Sequence, residues 1–163
     1  MDRITLIALL FSATGCVSID GGAVEASWVV TTHDGRGIAD CACTCPPIAK
    51  IRLQLIPVVD GSLTGGSDPC AGRTACEFSC NSQSGATRFD IPPGTYAISL
   101  VPVGADGNDI TNGEVGTCSA GSPVAPIVRD VNKGRVTQLD AILMESDCAA
   151  DCGGSDNRKV CTK

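Results

Sequence analysis

Eleven of the 163 residues are cysteine, and their spacing limits what they can do. Setting Cys16 aside, ten remain: Cys41, Cys43, Cys45, Cys70, Cys76, Cys80, Cys118, Cys148, Cys152 and Cys161. Thiols ligate metals, exchange redox equivalents or cross-link the chain. Structural zinc sites favour C-x2–4-C pairs, often with histidine. The run Cys41-x-Cys43-x-Cys45 fits that spacing poorly, Cys76-x3-Cys80 stands alone, and His33 is the only histidine. A redox-active C-x-x-C is absent. An even number of cysteines then reads as disulfides, which implies an oxidising compartment and leaves no thiol nucleophile.

Other chemistry-bearing residues are sparse. His33 and Asp34 sit side by side in a turn signal, where a catalytic pair is less expected than two solvated side chains. Asp106, Asn108 and Asp109, with Asn112 and Glu114 nearby, form the best candidate for a calcium site. The spacing misses an EF-hand, because Ile110 falls where a ligand is needed, so a polar hairpin turn is the plainer reading. No Walker loop, G-x-S-x-G, H-E-x-x-H or strand-following G-x-G-x-x-G is present. Sugar binding would need exposed aromatic platforms, and Trp28 and Tyr96 lie on strand faces that read as buried. No cofactor is expected.

The N-terminal residues carry a different signal. Arg3 precedes an apolar run from Ile4 to Phe11, followed by Ala13-Thr14-Gly15 and then Cys16. A positive residue, an apolar stretch and small residues make a secretory signal. With cysteine at the first mature position, the segment resembles a bacterial lipoprotein signal. The resemblance implies diacylglycerol on the Cys16 thiol, cleavage after Gly15 and acylation of the new N-terminus. An ordinary secretory signal with a chance cysteine is the competing reading. The run is about half the roughly 20 residues that a membrane-spanning helix needs, so the expected anchor is lipid alone. Val17 is not the aspartate that often marks inner-membrane retention in lipoproteins, which favours the outer membrane where two are present.

Composition narrows the rest. The net charge of −6 argues against nucleic acid as a partner, since neutralising phosphates needs a basic surface. After the signal only Trp28, Phe78, Phe89 and Tyr96 are aromatic, so the core is short of large side chains. Cross-links worth about 2–4 kcal/mol each would offset that deficit.

These groups must be held by short strands. Val24, Ala26, Trp28 and Val30 alternate with outward positions, and Ile51, Leu53 and Leu55 alternate with Lys50, Arg52 and Gln54. Further strands are expected at Glu77–Cys80, around Phe89 and Ile91, at Thr95–Val103, weakly at Ile110–Val115, at Pro126–Val131, and at Arg135–Met144 after a hairpin-like Asn132-Lys133-Gly134 turn. Gly61–Ala75 reads as a long loop, and Pro57 as a bend or edge in its strand. About seven strands without a convincing helical period predict an all-β, disulfide-rich antiparallel sandwich. The boundaries are a signal at 1–15, a lipidated tether at 16–22, the sandwich at 23–145 and a cysteine-rich tail at 146–163.

Phe89-Asp90-Ile91-Pro92-Pro93-Gly94-Thr95-Tyr96 resembles the "lpPGtY" corner of prealbumin-like, carboxypeptidase-regulatory-like sandwiches. In this reading the prolines end a strand, Gly94 permits a turn closed to other residues, and Tyr96 begins the next strand with its ring inward. Such domains act as accessory or binding modules, so the resemblance implies no active site. Two functions stay open. One is a non-catalytic, lipid-anchored envelope or cell-surface module, with the membrane as one partner and a protein or glycan as another. The other is an exported enzyme or accessory domain with a site around His33, Asp34 and the acidic 106–114 turn. Strand directions predict a disulfide from the Cys41–Cys45 cluster to the Cys76/Cys80 region, with Cys41–Cys80 as the first choice of pair. The odd number of tail cysteines predicts a bond from the tail to the body, with Cys118 as a partner.

Overall fold

The computed structural model describes residues 19–32, 35–44, 47–63, 66–110 and 125–146. Cys16, His33, Asp34, Cys45, Asn112, Glu114, Cys118, Cys148, Cys152 and Cys161 lie outside them, as does the side chain of Cys43. The described chain is all-β: nine strands and three 3-10 turns of three residues each. The strands are β1 (Ala23–Thr32), β2 (Ile48–Val59), β3 (Ser62–Leu63), β4 (Glu77–Ser79), β5 (Ser84–Ala86), β6 (Gly94–Gly104), β7 (Ile127–Val131), β8 (Val136–Gln138) and β9 (Ile142–Ser146). Among the described residues no helix is long and apolar enough to cross a membrane.

Two sheets share one core. The first centres on β1, with β5 on one side and β8 and β9 in succession on the other. The second runs β3-β2-β6-β7, with β4 beside β3 on the same edge of β2. Alternation explains the core directly. Val24, Ala26, Trp28 and Val30 point inward from β1, and Ile51, Leu53 and Leu55 point inward from β2. Each fully buried aliphatic side chain contributes about 1.5–3 kcal/mol. Leu53 and Leu55 face Leu100 and Ile98 across the β2–β6 ladder, so one face of each strand is apolar throughout.

Several expectations are corrected by long-range pairing. The first sheet is mixed rather than antiparallel, because β1 runs parallel to both β8 and β9. The expected final strand, 135–144, is divided. Between Glu25–Gln138 and Trp28–Ile142, three residue steps on β1 match four on its partner, and Leu139 N donates to Glu25 O across the irregularity. The Asn132–Gly134 turn is present, with Gly134 at φ 70°, but it carries the chain from β7 in one sheet to β8 in the other. Phe89 and Ile91 form no strand; Ile91 makes an isolated bridge to Gly22. The long loop hides a hairpin. Asp60 and Gly61 both have positive φ, 52° and 75°, which is the geometry that a two-residue hairpin turn requires.

Pro57 sits inside β2 without ending it. Leu55 N points away from β6, donating to Asp68 Oδ1. Two residues on, the proline nitrogen faces the same way, so its missing N–H costs the β2–β6 ladder nothing.

Candidate functional site

Two ends of the sandwich collect the singled-out residues. One end holds the close of β1, the start of β2, and the ends of β4, β6 and β9. The other holds the start of β1, the end of β2 and the start of β6. The first is the disulfide end, the second the glycine end.

At the disulfide end Cys41 bonds to Cys80, with Cα atoms 6.0 Å apart. This is the pair that the strand directions single out: β4 runs antiparallel to β2, which brings the residue after β4 beside the residues before β2. Cys76 does not join it. Cys76 bonds instead to Cys70, across six positions. All four of these cysteines are buried. Cys41 lies on the crossing from the first sheet to the second and Cys80 on the return crossing, so the bond fastens both crossings together.

Side chains that the sequence did not flag reinforce this junction. Asp40 Oδ1 accepts from Ala42 N and from Asn81 Nδ2, while Asn81 Oδ1 accepts from Cys41 N at 2.7 Å. The Ala42 amide, followed by Asn81, holds the Asp40 carboxyl below its ordinary range. Buried Thr44 donates to Cys41 O and accepts from Ile48 N, which turns the chain into β2. Trp28 packs near Phe78, ring centroids 6.3 Å apart, and its Nε1 donates to Cys80 O at 2.9 Å. A Cβ on Gly85 would stand 2.2 Å from the Phe78 ring, so the ring lies directly on the β5 backbone. Asp before Cys, at 40–41, was the available signal for the cap; the Asn81 contact is too distant in sequence to read.

The acidic turn is internally occupied. Asp106 Oδ1 accepts from Asn108 N and Oδ2 from Asn108 Nδ2, and these bonds lower its pKa. Asp109 forms an ion pair with Arg52 on β2. The described residues therefore show a hairpin turn whose carboxylates already have partners, and no group of three metal-ligating side chains occurs among them. Whether His33, Asp34 and Glu114 approach this turn lies outside the described residues.

At the glycine end the last residues of the expected tether are built into the fold. Gly21 and Gly22 are buried; Gly21 N donates to Phe89 O, and Gly22 and Ile91 exchange two backbone hydrogen bonds. A Cβ on Gly21 would lie 2.4 Å from Ile91 O, and one on Gly22 2.5 Å from Asn132 O. Tyr96 is buried, as expected, and its hydroxyl donates to Pro92 O at 2.9 Å. Burial raises its pKa. Gly94 differs from its expected role: its φ is not positive, and a Cβ there would meet the Tyr96 ring at an ordinary 3.4 Å. The corner turns through its prolines and the Tyr96 hydrogen bond.

No family model, curated protein or solved structure matches this chain.

Proposed function

We propose that the protein is a lipid-anchored, non-catalytic module of the cell envelope or cell surface, held to a membrane through Cys16 and binding or bracing a protein or glycan there. The observation that carries this reading is the apolar run ending in Ala13-Thr14-Gly15-Cys16, followed five positions later by Gly21, which is hydrogen-bonded into the sandwich. Two buried disulfides fit an exported chain in an oxidising compartment. Val17 after the anchor favours the outer membrane. The Tyr96–Pro92 hydrogen bond at the corner supports a prealbumin-like sandwich, a class that serves as an accessory or binding module. The enzyme reading has less behind it, since Asp106 and Asp109 are engaged by Asn108 and Arg52.

The test is Cys16→Ser in the full chain, expressed in a bacterial host with labelled palmitate. The parent should incorporate label and partition into the detergent phase. The variant should do neither, and should appear in the aqueous fraction or remain uncleaved. Unchanged membrane association with normal processing would overturn the anchor.

A further inference from the structure

We infer that the glycine end is a lipid-facing surface, whose exposed apolar side chains rest among the headgroups of the membrane that holds Cys16. The inference rests on the anchor reading and deepens it. Eight large hydrophobic side chains are exposed among the described residues, and five of them, Ile19, Val59, Leu63, Phe89 and Val136, belong to this end. Of the other three, Val29 and Leu143 are paired neighbours on the first sheet and Val128 lies on β7 of the second.

Register establishes the grouping. Pro57 pairs with Tyr96, so Val59 is level with Gly94; Gly94 pairs with Val131, and Val131 lies against Gly22. Leu63 pairs with Val58 beside it. Phe89 O accepts from Gly21 N, and Val136 pairs with Ala23. Ile19 lies two positions before Gly21.

Chain length supplies the partner. Five residue steps separate Cys16 from Gly21, and even fully extended they span at most roughly 18 Å. A lipid on Cys16 therefore keeps this end, and not the disulfide end, next to the bilayer. Apolar side chains at a membrane surface settle about 5–10 Å into the headgroup boundary. Charges at the same end include pairs, Asp20 with Lys133 and Asp90 with Arg73, which lowers the cost of approaching an apolar medium.

The experiment uses the full, lipidated protein in vesicles of phosphatidylethanolamine and phosphatidylglycerol, with and without brominated acyl chains. Trp28 is the only tryptophan and is buried, so it gives a steady background. Phe89→Trp should lose emission in brominated vesicles, whereas Leu143→Trp and the parent should keep theirs. Leu63→Trp, at a site 62% exposed, repeats the test should the Phe89 variant fold poorly. Protein that floats with the vesicles while both tryptophans at this end stay bright would leave the anchor standing and overturn the docking surface. Equal quenching of Phe89→Trp and Leu143→Trp would also overturn it, by laying the first sheet flat on the membrane. Protein that does not float would overturn anchor and docking surface together.

Discussion

At the disulfide end, Cys41 and Cys80 join two sheet-to-sheet crossings through a bond and a set of side-chain hydrogen bonds. At the glycine end no described disulfide joins Gly21, Gly22, Ile91 and Asn132, yet their backbones approach so closely that a single methyl group would not fit. A chain with few aromatic residues has two ways to close a sandwich. It can link distant loops covalently, or it can remove side chains until backbones touch. The first tolerates sequence change around the bond; the second tolerates almost none.

The largest expected effect separates the ends by chemistry. The chain-entropy argument scales with loop length, so joining residues 39 positions apart contributes about 4 kcal/mol and six positions apart about 2 kcal/mol. The double variant Cys41→Ser/Cys80→Ser should lose about twice the unfolding free energy of Cys70→Ser/Cys76→Ser in denaturant titrations. Hydrogen exchange should localise the damage. The amides of Trp28 and Ile38 should speed up first, while those of Gly22 and Ile91 stay protected. Equal loss of protection at both ends would erase the contrast.

Gly21→Ala attacks the other end. Its Cβ would meet Ile91 O at 2.4 Å and Ile91 N at 2.7 Å, both backbone atoms that cannot swing aside. The Gly22–Ile91 pair must open, and a loss of about 3 kcal/mol is expected. A thermal melt of Gly37→Ala, where nothing crowds the site, is the control and should change little.

Tyr96→Phe is a smaller probe of the same end. It removes the hydrogen bond to Pro92 O at a cost of about 1 kcal/mol. It also changes the alkaline limb. Burial raises the Tyr96 pKa above 10.0, so the unfolded chain ionises first as pH climbs. The stability held by the neutral phenol is complete below that value and is lost as pH rises through the folded pKa. Tyr96 is the only tyrosine, so its ultraviolet titration reads this site alone. The Phe variant should lack that part of the alkaline loss.

What the sequence revealed follows the range of each interaction. The alternation in β1 and β2 named the core residues correctly because a strand's period is local. The Cys41–Cys80 pair could be argued because two antiparallel neighbours have only one way to bring those segments together. The parallel pairing of β1 with β8 and β9 had no local signature: it joins residues more than a hundred positions apart, and each strand alone reads the same either way. β5, Ser84–Ala86, has neither apolar alternation nor branched residues, and it pairs with β1 because Gly85 lets Phe78 lie against it. Asp60-Gly61 was readable as a hairpin turn, and the polar residues after it disguised it as loop. Of the site residues, Asp40 and Asp68 announce only their local turns; their second partners, Asn81 and Leu55, come from other parts of the chain.

Asp40→Asn tests how far the side-chain hydrogen bonds support the disulfide, and its effect should be the smallest. The Asp40 carboxyl is held below 3.8, first by the Ala42 amide and then by Asn81. A depressed carboxyl stabilises the fold above its unfolded pKa, and that stabilisation is lost as pH falls through the folded value. Melting temperature measured downward from pH 5 should therefore decline less steeply in the variant than in the parent. Asp106→Asn should flatten the same limb, because Asn108 depresses that carboxyl in the same direction. The two variants part in a second measurement. Asp40 braces Ala42 and Asn81 on either side of the cross-link, whereas the Asp106 bonds stay within one turn. Reduction of Cys41–Cys80 by dithiothreitol at neutral pH should be faster in Asp40→Asn and unchanged in Asp106→Asn. Equal rates in both would show that the disulfide end stands on its covalent bond alone, with the Asp40–Asn81 contacts following from it.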